Sequence, residues 1–233
     1  MPESSKSGTI LLAGASRGLG LGLAAAYLQR GWKVVATARA PDPAGGLAKL
    51  QGAHPDALRV ETLDVADPAS VQALAGRLQS GALNILFVVA GSNAHSNSPI
   101  NEIPPADIAR ELLTNATAPI VLADTLQPYL APGATVAFMT SIMGSIASNA
   151  GGGMELYRAS KAALNMLASC YALRHKNAPV LLLHPGWVRT DMGGANAPVD
   201  IETSVSGLID VIGKHAHMPG LAYLDYRGAK LPW

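Results

Sequence analysis

The stretch Thr9-Ile-Leu-Leu-Ala-Gly-Ala-Ser-Arg-Gly-Leu-Gly20 decides the fold. Its first five residues form a β-branched or aliphatic run, which predicts a buried strand over Thr9–Ala13. Gly14, Gly18 and Gly20 follow directly and open a helical pattern expected from Arg17 to Arg30. A strand that feeds a glycine turn and then a helix is the first unit of an open α/β sheet. Working outward, further apolar runs stand at Lys33–Ala38, Leu58–Leu63, Leu83–Val89, Ala134–Met139 and Val180–His184. Each is nearly all apolar rather than alternating, as strands covered on both faces are, and such strands belong to parallel sheets.

The intervening segments, roughly 67–79, 105–127, 157–176 and 200–213, are long enough for helices. The expected fold is therefore α/β: a single-domain doubly wound (Rossmann) parallel sheet of about seven strands with helices on both faces. Segment 40–52 is rich in Pro and Gly and predicts only a weak helix, and the polar segment 92–105 reads as a surface loop. Residues 1–8 read as a polar, disordered leader to one domain spanning 1–233.

Composition narrows the function. The chain has 233 residues, with 17 Lys+Arg against 16 Asp+Glu and a net charge of +1, which argues against nucleic acid as a partner. Apolar residues reach 49% and charged ones only 14%, enough to bury a sizeable core. The single cysteine, Cys170, excludes an internal disulfide and a Cys-rich metal site. Arg17 and several glycines interrupt the apolar stretch from Ile10 to Leu28, so neither a signal peptide nor a membrane span is expected there. The expectation is a soluble, cytoplasmic protein.

The glycine turn lets the backbone bend sharply and lets a ligand lie against the main chain. The helix that follows offers unpaired N–H groups and the positive end of its dipole to a pyrophosphate. Glycines also serve helix–strand packing, but their place between a first strand and a first helix points to a nucleotide. A site for NAD usually carries a carboxylate at the end of the second strand to bind the ribose 2′-OH. Here that strand ends Thr37-Ala38-Arg39, with no acid until Asp42. Arg39 and Arg17 suit a 2′-phosphate, which guanidiniums hold bidentately, and the missing acid points to NADP(H).

Tyr157-Arg-Ala-Ser-Lys161 places a phenol and an ammonium one helical turn apart on one face. A neighbouring Lys⁺ favours the phenolate, so the pair is suited to general acid–base work. Tyr-x3-Lys also arises by chance in helices, beside a solvated Lys. Ser141 follows the strand Ala134–Met139 and sits where an open sheet presents side chains to a ligand; its hydroxyl can donate to a carbonyl oxygen that gains charge. Taken alone it reads as a turn or cap residue. Pro119 has no N–H, so the carbonyl of Asn115 loses its helical partner and the helix should bend, freeing that oxygen for a water.

Jointly these residues resemble the short-chain dehydrogenase/reductase family over nearly the whole chain. The resemblance rests on Gly14-x3-Gly18-x-Gly20, Asp64-Val65, Ala90-Gly91, Asn115, Ser141, Tyr157-x3-Lys161 and Pro185-Gly186 in that order. The stretches 157–165 and 184–194, with Leu231-Pro-Trp233, are most similar to the C-factor/sniffer-type carbonyl reductase subgroup. The resemblance implies hydride transfer between NADP(H) and a small aldehyde, ketone or alcohol. Tyr157 would be the proton donor, Lys161 would hold the cofactor and depress the Tyr157 pKa, Ser141 would polarise the carbonyl, and Asn115 would hold a water. For the cofactor it implies Gly14, Ser16, Arg17, Gly18, Leu19, Gly20 and Arg39, then Asp64 and Val65 at the adenine, Ala90 and Gly91 at the adenine-side ribose, and Pro185, Gly186, Val188 and Thr190 around the nicotinamide. Asn115, Tyr157 and Lys161 belong to this set as well.

The chain departs from the family pattern in two places. Val88-Val-Ala-Gly91 stands where polar side chains usually brace the sheet, and Ala150-Gly-Gly-Gly153 lengthens the loop between Ser141 and Tyr157. His215 and His217 read as exposed loop histidines rather than metal ligands, His95 as a solvated loop residue, and Cys170 as a small buried hydrophobe. Met143, Met154, Trp187 and Met192 are candidates either for an apolar pocket or for the core. A homodimer or homotetramer is expected by analogy, through outer helix faces carrying Ala162, Ala163, Leu164 and Leu167. The rival functional reading is a nucleotide-binding signalling protein with incidental turnover, and neither substrate nor direction is legible.

Overall fold

Every apolar run singled out above is a strand of one sheet in the computed structural model, which describes residues 7–233. The leader expected over 1–8 thus lies, for residues 1–6, outside the described residues. In chain order the elements are β1 (Thr9–Ala13), α1 (Gly18–Gln29), β2 (Lys33–Ala38), α2 (Gly46–Ala53), β3 (Leu58–Thr62), α3 (Pro68–Ala75) and β4 (Leu83–Val88). After these come α4 (Pro105–Leu112), α5 (Ala118–Leu126), β5 (Leu130–Met139), α6 (Glu155–Arg174), β6 (Pro179–His184), α7 (Ile201–His215) and β7 (Gly220–Asp225). The sheet is seven-stranded in the order β3-β2-β1-β4-β5-β6-β7, and every pairing is parallel.

Both faces of the central strands are buried, while edge strand β3 is largely open, and the two-residue period sorts them. Ile10, Leu12, Ile85, Phe87, Leu181 and Leu183 pack with α1, α2 and α7. Leu11, Ala13, Leu86, Val88, Val136, Phe138, Val180 and Leu182 pack with α3, α5 and α6 on the other face. Continuous apolar strands are what two helical layers require.

The strand order reverses between β1 and β4, so a crevice opens at their carboxyl ends, where open α/β sheets bind ligands. Val89 and Ala90 close this corner by donating to the Ala13 carbonyl at 2.9 and 2.8 Å. The bracing of this corner therefore comes from backbone bonds beside the apolar side chains of Val88 and Val89.

α4 and α5 are one continuous helix interrupted by a single wide turn, Leu113–Thr117, in which Ala118 donates to the Leu113 carbonyl. Pro119 has no N–H for the Asn115 carbonyl, and the helix absorbs that deficit as a π-turn rather than a break.

Candidate active site

The glycine turn lies at the end of β1. Gly14 takes a φ of +96°, and a Cβ at Gly20 would run into the Gly14 carbonyl, so turn and helix meet without side chains between them. Thr37, at the end of β2, fixes the turn: its hydroxyl accepts from Gly14 N at 3.1 Å and its carbonyl from Ala15 N at 2.7 Å. α1 starts at Gly18 with no side-chain cap and no acid in its first turn, whereas Asp67 caps α3 and Asp200 caps α7. An uncapped helix start at the sheet's crevice fits a pyrophosphate.

Arg17 pairs with Asp191 at 2.9 Å across a cleft of about 380 Å³ that Gly18, Arg189 and Thr190 also line. Arg39 is exposed at the end of β2. Asp64 closes a tight turn after β3 through Ala66 N at 2.9 Å, beside buried Val65. Thr190 lies against the glycine turn, since a Cβ at Gly18 would stand 3.5 Å from its methyl carbon. Gly186 (φ +86°) packs on Tyr226, the Pro185 carbonyl accepts from Ser204 Oγ at 2.7 Å, and Val188 is buried.

The four predicted catalytic residues converge where β4, β5 and α6 meet. Asn115 is fully buried in the wide turn. Its Nδ2 donates to the Ser92 carbonyl at 2.8 Å and to Ser160 Oγ at 3.0 Å, while its Oδ1 accepts from Ser92 N at 2.7 Å. The side chain is thus spent on tying the loop after β4 to α6. Lys161 is 3% exposed and donates from Nζ to the Met139 carbonyl at 3.0 Å. A Cβ at Gly91 would stand 3.4 Å from both Lys161 Nζ and Asn115 Oδ1, so Gly91 leaves that approach open.

Tyr157 is half-buried, with Lys161 Nζ 5.7 Å from the centre of its ring and the Ser141 hydroxyl facing its phenol. Ser141 starts a turn by accepting from Met143 N at 3.2 Å, and its carbonyl accepts from the Tyr223 hydroxyl at 2.6 Å. Burial pushes the Tyr157 phenol up to about 12, opposed by the Ser141 hydroxyl, and the charge of Glu111 adds to the rise. Burial pulls Lys161 down to about 8, opposed by Glu111. Lys161 faces the phenol's ring while donating to Met139, so desolvation dominates the Tyr157 pKa.

Some expectations are revised. Cys170 is exposed, on the outward stripe of α6 with Met166 (66% exposed) and Leu173 (67%). Leu164, expected on that stripe, is buried in the core, because the helix turns its 164/168/171 edge to the sheet. His95 pairs with Asp107 at 3.4 Å. Trp187 and Met192 are exposed, with Trp187 Nε1 donating to the Gly193 carbonyl at 2.7 Å. Among the described residues no cluster of His, Cys, Asp or Glu could hold a metal ion, and no helix is long and apolar enough to cross a membrane.

Sequence reasoning missed Thr37, Ser92, Ser160, Tyr223 and Glu111. The signal for Glu111 was available: a charged residue one turn before Asn115, on the face that also carries Asp107.

Residues 8–199 match the short chain dehydrogenase family. The chain is 38% identical over 168 residues to the C-signal of Myxococcus xanthus, covering 70% of this chain and 100% of that protein. A carbonyl reductase from Pseudomonas aeruginosa PAO1, in complex with NADP, superposes with a TM-score of 0.91 at 39% identity, covering 98% of this chain and 100% of the other. The carbonyl reductase Sniffer of D. melanogaster superposes with a TM-score of 0.88 at 31% identity, covering 97% and 100%. With the glycine turn, the wide turn at Asn115 and the Ser141–Tyr157–Lys161 cluster in place, the chain belongs to the short-chain dehydrogenase/reductase family.

Proposed function

We propose that this protein is an NADP(H)-dependent reductase of small aldehydes or ketones, with Tyr157 as the proton donor. The observation that carries the reading is the convergence of Ser141, Tyr157 and Lys161 beside an uncapped helix start at the sheet's crevice. The C-signal, the Pseudomonas reductase and Sniffer are similar over most of the chain, and NADP is bound in the second of them.

The residues fit a dinucleotide. Gly14, Ser16, Gly18, Leu19 and Gly20 would take the pyrophosphate, Asp64 and Val65 the adenine, and Ala90 and Gly91 its ribose. Pro185, Gly186, Val188 and Thr190 would flank the nicotinamide, and Arg17 and Arg39 would take the 2′-phosphate. Arg17 must leave Asp191 to do so, and exposed ion pairs of this kind are worth only about 0–1 kcal/mol. When bound, the cofactor supplies the hydride. Tyr157, held protonated to about pH 12, donates its proton to the carbonyl oxygen. Ser141 offers a second hydrogen bond to that oxygen as charge develops. Lys161 keeps a positive charge under the phenol, and Asn115 holds the loop after β4 at the spacing the substrate needs.

NADPH consumption, followed by absorbance with a panel of activated aldehydes and ketones, tests this. Tyr157→Phe should lower kcat by about 100-fold or more while NADPH still binds. Identity to the C-signal favours a second reading, a nucleotide-binding signalling protein. Tight NADPH binding with no turnover across the whole panel would decide for that reading.

A further inference from the structure

Glu111 is a buried acid that the chemistry above does not use. Of the two acids on α4, Asp107 stays partly exposed and Glu111 is drawn inside, 3% exposed. Its Oε2 meets no hydrogen-bond partner among the described residues. Glu111 precedes Asn115 by about one helical turn, and Asn115 is bonded to Ser160, the residue before Lys161. The face of the helix that carries Glu111 is therefore turned towards α6. The Ala94 N–H is directed at its carboxyl group from the loop after β4. The titratable groups around it are Lys161 and Tyr157 on α6, His95 in that loop, and Asp107 on α4, which pairs with His95.

An ammonium as deeply buried as Lys161 loses its hydration, and the Met139 carbonyl returns only one dipole. Glu111 offers it a full opposite charge. No ion pair closes between the two within 4.0 Å among the described residues, so the attraction acts at longer range, across the packing of α4 against α6. The coupling is mutual: Glu111 opposes the fall of the Lys161 pKa, and Lys161 opposes the rise of the Glu111 pKa.

We propose that Glu111 is a positioning residue of the reduction, the buried counter-charge that keeps Lys161 an ammonium beneath Tyr157. The inference rests on the reading of Tyr157 and Lys161 as the reacting pair. It assigns a task to a carboxylate that packing alone would exclude from such a place.

The test compares Glu111→Gln, close in shape and neutral, with Glu111→Asp, which keeps the charge, in the full-length protein. The Lys161 Cε resonance is followed by NMR against pH, and kcat is measured against pH with NADPH and a turned-over aldehyde. In Glu111→Gln the Lys161 midpoint should fall by about one pH unit. At pH 8, kcat should fall roughly fivefold, with little change at pH 6. A folded Glu111→Gln whose Lys161 midpoint stays put, or whose kcat drops equally at every pH, overturns the proposal. Should that variant not fold, the Glu111 carboxyl resonance followed against pH in the wild type and in Lys161→Met decides: a Glu111 midpoint that rises once the ammonium is gone supports the counter-charge, and an unchanged midpoint removes it. A wild-type protein that turns over no carbonyl sinks the proposed reduction, while the Lys161 titration still decides the role of Glu111.

Discussion

Tyr157 and Lys161 stand one turn apart on α6, and burial moves their protons in opposite senses: up to about 12 for the phenol and down to about 8 for the amine. At neutral pH both hold their protons, the arrangement a proton donor with a cationic neighbour needs. As pH rises, Lys161 gives up its charge first. Ser141 is held from a distance: the Tyr223 hydroxyl reaches its carbonyl from β7, 82 residues along the chain. Tyr223→Phe leaves that carbonyl only the Gly144 N–H, and we expect a loss of about 0.5–1.5 kcal/mol in urea unfolding. Because Ser141 then loosens, kcat should fall roughly tenfold and KM much less in steady-state kinetics. The Tyr-x3-Lys spacing was legible in the sequence because it is local. Tyr223 was not, since nothing near it in sequence marks its partner.

Among the elements, the wide turn at Leu113–Thr117 matters most to the site. It carries Asn115 inward, where three hydrogen bonds fasten it to Ser92 and Ser160. Pro119 was legible as a fault in the helix; the form of the accommodation depended on what packs around it. Pro119→Ala supplies an N–H that competes for the Asn115 carbonyl and pulls the turn towards α-helical spacing. The variant should keep its melting temperature or raise it slightly, and lose up to about 100-fold in kcat through displacement of Asn115. Unchanged kinetics would show that the turn has no part in positioning the site. β7 shows the opposite limit of legibility. Gly-Leu-Ala-Tyr-Leu-Asp contains no β-branched residue, and only its register against β6 makes it a strand. β5 likewise begins at Leu130 rather than Ala134, because β4 pairs with it there.

At the scale of the whole molecule, the sheet joins two helical layers, and its far edge holds a group that links stability to pH. His184 lies opposite Asp225 in the β6–β7 register, with its Nδ1 buried and without a partner among the described residues. Burial pulls its pKa from 6.5 down to about 4, with Asp225 opposing and Arg227 adding to the fall. Because the folded value is depressed, the unfolded chain binds the proton more readily between these two values. Stability is therefore fully present above pH 6.5 and declines as pH falls towards 4, by roughly 2–3 kcal/mol. Urea midpoints at pH 7 and pH 4.5 should show this decline, and His184→Asn should flatten it. A variant with the wild-type pH slope would place the acid sensitivity elsewhere.

The sequence alone determined the parallel α/β sheet, the glycine turn and the Asn115, Ser141, Tyr157 and Lys161 positions. These rest on local patterns: unbroken apolar runs, a strand–glycine–helix order and a one-turn spacing. Only the tertiary structure decided how the site is charged and braced. It drew Glu111 inside, paired Arg17 with Asp191, spent the Asn115 side chain on two neighbouring elements and raised the Tyr157 pKa. Burial and long-range contact set these properties, and both depend on residues far apart in the chain meeting in the folded protein.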